Sequence, residues 1–303
     1  MTSPPERSWP PLPTAEWQST RDTLHLWTQI VGKVRMTHAP LVNHWWNVTL
    51  YVTPSGLTTS SIPYGGRSFQ IDFDFHAHEL VITTSGGERR AIALEPRSVA
   101  DFYADVMRNL DELGLTTAIW TMPVEIPDDV VPFDADHAHA SYDADAVERF
   151  ADALVQIDRV LHVFRARFVG KVSPVHFFWG GFDLAVTRFS GRPAPLFPRS
   201  APHCGPHVMQ EAYSHEVSSC GYWPGAGAEG LFYSYAYPEP PGFQDEPMPD
   251  DAGYDRELGE FVLPYERVRG SADPDDMLLA FLQRSYEAAA NPGKWDRHSL
   301  ERT

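Results

Sequence analysis

The sequence predicts an α+β protein built from two fused, similar halves, each an antiparallel sheet with helices packed on one face, the halves related by a pseudo-twofold axis. Three observations predict it. Val31-Gly32-Lys33-Val34, His44-Trp45-Trp46 and Leu50-Tyr51-Val52-Thr53 return later as Val169-Gly170-Lys171-Val172, His176-Phe177-Phe178-Trp179 and Leu184-Ala185-Val186-Thr187, the mark of an internal repeat. The strand-like runs are joined by short Gly- and Ser-containing turns, too short for a helical crossover, so neighbouring strands run antiparallel. Segments with apolar residues at helical spacing flank those runs. Halves of this kind pack against each other, and the seam between them is a natural place for a pocket.

The elements follow in chain order. After a Pro-rich arm, residues 1–13, Trp17, Leu24, Thr28 and Val31 fall at helical spacing and Gly32 supplies the stop. His44 to Thr53, Gly56 to Ile62, Phe69 to Phe75, Leu80 to Thr84 and Ala91 to Leu94 read as strands of the first half, residues 14–127. Ser98 with Asp101 gives a capping signal, Val99, Phe102, Val106, Leu110 and Leu113 form the apolar stripe, and Gly114 ends that helix. Ile119 to Ile126 looks extended and Pro127 to His139 looks like a linker.

The second half, residues 140–290, opens at Asp143 with the stripe Val147, Phe150, Leu154, Ile157, Leu161, Phe164 and Phe168. An aromatic strand starts at His176, and Gly191 to Pro206 shows no readable period. Phe232 to Tyr237 and Glu260 to Leu263 are strand-like. Asp273 and Pro274 open the last helix, which runs to about Ala290 before a tail of residues 291–303.

Composition narrows the function classes. With 24 Lys plus Arg against 41 Asp plus Glu, the net charge of −17 repels phosphate backbones and anionic lipid surfaces, so no nucleic-acid or membrane partner is expected. No apolar run approaches the ~20 residues that span a bilayer, and the start of the chain lacks the features of a signal peptide. Two cysteines, Cys204 and Cys220, are too few to staple 303 residues, which fits a reducing, cytoplasmic compartment. No P-loop, Rossmann glycine pattern, CxxC pair or Gly-x-Ser-x-Gly elbow occurs, so no nucleotide cofactor is implied.

Four groups of residues carry candidate chemistry. His44 and His176 each precede an aromatic strand with Lys33 and Lys171 just upstream. In symmetric halves they would line one cleft beside Trp46 and Trp179, the imidazoles moving protons or binding a metal and the lysines holding an anionic substrate. The plainer reading makes the histidines strand caps and the lysines solvating groups at helix ends. Glu211, His215 and Glu216 form the second group: on a helix, Glu211 and His215 would share a face, suited to general acid-base work or metal ligation, whereas the alternative is an ordinary polar turn. Asp72, Asp74, His76 and His78 alternate along one strand, a metal-like pattern that also describes a solvated strand face. Finally, Tyr233, Tyr235 and Tyr237 alternate on a strand, while Arg188 and Arg192 would pair an anionic ligand group stacked on such rings.

The run Arg21 to Arg35, Asn43-His44-Trp45-Trp46, Gly170 to Gly180 and Ser214 to Ser219 resemble, over close to the full length of the chain, a bacterial family known only as a domain of unknown function. The resemblance implies no activity, cofactor or catalytic residue. The leading expectation is a cytoplasmic small-molecule enzyme with its site at the seam. There His44, His176, His215 and Glu216 supply acid-base groups, or the three histidines supply ligands to a divalent metal, and Lys33, Lys171, Trp46, Trp179, Arg188 and Tyr235 hold the substrate. The other is a non-catalytic small-ligand-binding module with an aromatic pocket. Oligomeric state is not legible.

Overall fold

A computed structural model describes residues 9–126, 130–249 and 251–302. Residues 1–8 of the predicted arm and the first three residues of the predicted linker lie outside that description. Helix α1 (Thr14–His38) leads into β1 (Tyr51–Thr53), β2 (Gly56–Thr58), β3 (Ile62–Tyr64), β4 (Arg67–Asp74), β5 (Glu79–Thr84) and β6 (Arg89–Ala93), then α2 (Val99–Glu112) and α3 (Ala144–Ala166). There follow β7 (His176–Phe178), β8 (Asp183–Pro193), α4 (Pro206–Ala212), β9 (His215–Trp223), β10 (Leu231–Tyr237), β11 (Gly253–Asp255), β12 (Glu260–Pro264), α5 (Tyr265–Arg269), α6 (Pro274–Ala290) and α7 (Arg297–Leu300). Among the described residues this is an α+β fold of seven α-helices and two antiparallel sheets of six strands each.

The capping signals hold at α2, α3 and α6, where Ser98, Asp143 and Asp273 accept from the backbone N–H three residues on. The stop predicted at Gly32 is wrong: α1 continues to His38, and Pro40 ends it by forcing Ala39 into extended backbone. Gly32 serves packing instead, since a Cβ there would lie 2.2 Å from the Trp179 Nε1. His44 does not begin a strand. It and Trp45 sit in a short 3-10 turn, both with φ of 61°. Ile119–Ile126 belongs to no sheet.

The first sheet runs β1-β2-β4-β5-β6, with β3 also on β4, and turns Phe69, Ile71, Phe73, Leu80 and Ile82 inward under α1 and α2. The second runs β11-β12-β10-β9-β8-β7. One of its faces presents Leu184, Val186, Tyr222, Phe232, Phe261 and Leu263 to α3 and α6, all buried. Each such side chain contributes on the order of 1.5–3 kcal/mol. The sheets meet edge to edge, where Leu50 and Phe177 exchange backbone hydrogen bonds of 2.9 and 2.8 Å. Their strand orders differ, and the two Val-Gly-Lys runs occupy different places, inside α1 and beyond the end of α3.

Both ends of the described chain are tied down. Trp9 packs 5.9 Å from the Tyr265 ring, whose hydroxyl donates to the Pro10 carbonyl at 2.9 Å. At the other end the Val169 N–H donates to Leu300 O, and Arg302 N–H to Arg167 O.

Candidate functional site

The second face of the second sheet is left open by α3 and α6, and it floors a cavity of about 880 Å³. Strand alternation decides which side chains reach it: Asp183, Ala185, Thr187 and Phe189 from β8, Val217 and Ser219 from β9, Tyr233 and Tyr235 from β10, Glu260 and Val262 from β12. The walls come from α1 through His25, from the turn holding His44 and Trp46, from α4, and from the loop carrying Glu125.

Five carboxyl groups line this space; Asp22 and Asp136 are paired with Arg21 and His139, which leaves Glu125, Asp183 and Glu260 without an ion pair among the described residues. Asp183 and Glu260 are the first residues of β8 and β12, and Glu125 stands on a loop residue in left-handed backbone, φ 62°. Gly180 and Gly181, in the β7–β8 turn, make room for it. A Cβ on Gly180 would lie 2.1 Å from Glu125 Oε1, and one on Gly181 would lie 2.9 Å from Asp183 Oδ1 and 3.9 Å from Glu125 Oε2. The Tyr233 hydroxyl donates to Asp183 Oδ2, its ring crossing Gly221, the cross-strand partner of Tyr233.

Enclosure raises all three acids. Glu125 is pushed up to about 7 by burial and then by the charge of Asp183. Glu260 reaches about 7 by burial and the same neighbour, with Arg199 opposing. Asp183 reaches about 6 by burial, with the Tyr233 hydrogen bond pulling it back. Glu125 keeps an exposed surface, but that surface faces the cavity, where protein replaces most of the water. Burial holds the tyrosines protonated, Tyr213 at about 12 and Tyr233 and Tyr235 well above 10.

Neutral hydrogen bonds extend the floor. The Tyr213 and Tyr235 hydroxyls are 2.8 Å apart, as are those of Thr187 and Ser219. In α1 the fully buried Gln29 donates to Val124 O and accepts from Val124 N–H, both at 2.9 Å, so the helix interior fixes the residue before Glu125. His25 Nε2 donates to Gly180 O at 2.9 Å, and burial drives this ring down to about 4, leaving it neutral.

Of the ten residues assigned to the expected site, His44, Trp46 and Tyr235 line the cavity. His44 Nδ1 donates to the Glu211 and Ala212 carbonyls, 3.1 Å each, and Nε2 accepts from Lys171 Nζ at 2.6 Å. His215 stands 5.7 Å from the His44 ring, with Nδ1 3.0 Å from Ser214 Oγ. His176 is fully buried behind Trp46 among Tyr51 and Phe178, its pKa driven to about 3 by burial, and neither ring nitrogen has a protein partner among the described residues.

The others lie elsewhere. Glu216 accepts from Arg192 at 2.6 Å and from Ser190 at 2.8 Å. Because β9 begins at His215, it and Glu211 share no helical face. Lys33 is buried, donates to the Trp120 and Met122 carbonyls, and is lowered to about 8 by burial. Trp179 donates to Val48 O at 2.6 Å. Arg188 points to the opposite face of the sheet, 3.5 Å over the Phe164 ring. Asp72 and Asp74 stay in β4, while His76 and His78 follow it and turn to Asp152 and to Tyr142 and Glu148. Among the described residues no three His, Cys, Asp or Glu side chains are grouped to hold a metal ion.

Sequence reasoning missed Glu125, Asp183, Glu260 and His25, while Tyr233, one of the three alternating tyrosines, does line the cavity. The signals were Gly180-Gly181 just ahead of Asp183, and Gly221 inside a strand, each marking close approach of a non-local group.

Residues 9–302 match the model of Family of unknown function (DUF5996), and the chain belongs to that family. No curated protein and no solved structure matches it.

Proposed function

We propose that this member of a family of unknown function is an enzyme that transfers protons on a small organic molecule bound in the cavity over the second sheet. The observation that carries the reading is the meeting of Glu125, Asp183 and Glu260 in one ring-walled cavity, where each titrates close to neutrality. Carboxyls poised there both give and take a proton near pH 7. Asp183, held by Tyr233, ionises first and stabilises positive charge developing on the substrate. Glu125, pinned through Val124, is the proton donor and acceptor. His44 and Trp46 close the far wall, and Tyr235 carries the hydrogen-bonding floor. His176 and His215 support the His44 side, while Glu216, Lys33, Trp179 and Arg188 hold the surrounding structure.

Proton transfer is favoured over metal assistance because no ligand group of three is assembled among the described residues. A reducing, cytoplasmic setting is supported by two unpaired cysteines, and no described helix is long and apolar enough to cross a membrane. The net charge of −17 supports the absence of nucleic-acid partners.

The test incubates wild type, Asp183→Asn and Glu125→Gln with a small-molecule extract and follows it by mass spectrometry. Turnover by wild type alone supports the reading. A compound retained equally by all three proteins with no conversion overturns it in favour of a binding module, which the Tyr213, Tyr233 and Tyr235 rings would also serve.

A further inference from the structure

We infer that this cavity selects an organic cation: a flat or apolar body carrying an amidinium, guanidinium or ammonium head, seated with that head toward Glu125, Asp183 and Glu260. The inference rests on the cavity being the binding site and not on its being catalytic. The first support is the walls. Rings of Tyr213, Tyr233, Tyr235, Phe182 and Trp46 line a space of about 880 Å³, the size of a small-molecule site, and their faces attract cations as well as apolar groups. Toward solvent the lining ends in Val131, Leu258 and Trp223, which are 43%, 42% and 36% exposed. An apolar body is thus accommodated beside the charged end.

The second support is the inventory of charge. From α1, Arg21 faces the cavity but is paired with Asp22 at 2.8 Å, and His25 donates to Gly180 O. From the segment before α3, His139 is paired with Asp136 at 2.7 Å. Beyond α1, His44 has both ring nitrogens engaged, one of them by Lys171. Burial and then Glu125 raise the Cys204 thiol, and Arg199 acts on Glu260 without an ion pair among the described residues. Among the described residues Arg21 and His139 in the lining are thus each paired with a carboxylate, with Arg21 Nη1 left without a partner, whereas Glu125, Asp183 and Glu260 form no ion pair. A bound cation supplies what they lack and drives off the protons they hold, so affinity rises as pH climbs through 6 to 7.

Isothermal titration with benzamidine, its neutral analogue benzamide, and benzoate tests this, using two buffers of different ionisation heat. At pH 7.5 the benzamidinium ion binds at least about tenfold more tightly than benzamide and benzoate gives no saturable heat, a difference above the ~1.4 kcal/mol that marks one decade. Proton release accompanies binding, and affinity drops about tenfold or more at pH 5 and in Asp183→Asn, whose fold is checked by circular dichroism. The inference is overturned by equal binding of benzamide, by binding of benzoate, by an unchanged affinity in both Asp183→Asn and Glu125→Gln, or by no saturable benzamidinium signal up to about 20 mM. An inert small-molecule extract together with selective benzamidinium binding defeats catalysis alone. Turnover of a neutral or anionic compound, without benzamidinium binding, defeats the cation preference alone.

Discussion

The two faces of the second sheet share every backbone hydrogen bond yet carry opposite chemistry. Toward α3 and α6 the strands present Leu184, Val186, Tyr222, Phe232, Phe261 and Leu263, with Arg188 laid over Phe164. Toward the cavity the same strands present Asp183, Thr187, Ser219, Tyr233, Tyr235 and Glu260. Buried polar groups stabilise little even when satisfied, and crowded carboxyls oppose folding. The first face therefore holds the molecule together, and the second is kept at some expense of stability, as binding and catalytic sites commonly are.

Substitutions on each face break or sharpen that division. Phe232→Ala, opposite α6, is expected to cost about 3–5 kcal/mol in urea unfolding, because the helix cannot collapse into the space left. A loss under about 1 kcal/mol would remove the distinction between the faces. Gly221→Ala comes next, at about 1–3 kcal/mol. Its Cβ would meet the Tyr233 hydroxyl at 2.7 Å and Leu184 O at 2.3 Å, prising the phenol from Asp183. The Asp183 carboxyl then titrates above its present value of about 6, visible in carbon-detected NMR, since the Tyr233 hydrogen bond lowers it.

Asp183→Asn acts in the other direction. The folded pKa of about 6 exceeds the unfolded value of ~3.9, so the folded chain binds the extra proton between them. That contribution is complete below about pH 4 and is lost as pH rises through about 6. The variant should match wild type near pH 4 and be more stable above pH 7, by on the order of 1 kcal/mol in thermal unfolding. A loss of stability at pH 8 would contradict the division of labour. Tyr235→Phe is the mildest change, about 0.5–1.5 kcal/mol for one hydroxyl pair 2.8 Å apart, and it should leave the pH profile unaltered.

Local signals carried much of the architecture. The caps at Ser98, Asp143 and Asp273 and the alternation of β4 could be read directly, because each depends on residues within one or two turns. Gly32 misled because a glycine admitting a distant indole looks identical to one ending a helix. β9 escaped notice because its cavity face follows Val217 with Ser219 and Gly221, where an apolar alternation would normally continue. The site itself was the least legible part. Glu125 lies in a Pro-flanked loop, and Asp183 and Glu260 resemble ordinary solvated strand ends. Only the folding of α1, β8, β10 and β12 around one space gives them a shared environment. His44, Trp46 and Tyr235, which line the cavity, could be singled out because histidines and aromatic rings stand out by type, whereas Arg188 faces the other side of the sheet, a register that sequence alone leaves open.

The amide of Gln29 has one more effect. By gripping both backbone groups of Val124 from within a 25-residue helix, it makes the loop ahead of Glu125 behave mechanically as part of α1. Slow amide exchange at Val124 should track that of the helix rather than that of its neighbours in the loop. An arriving guest then meets an acid already standing in position, and little ordering entropy is lost at that wall when it docks.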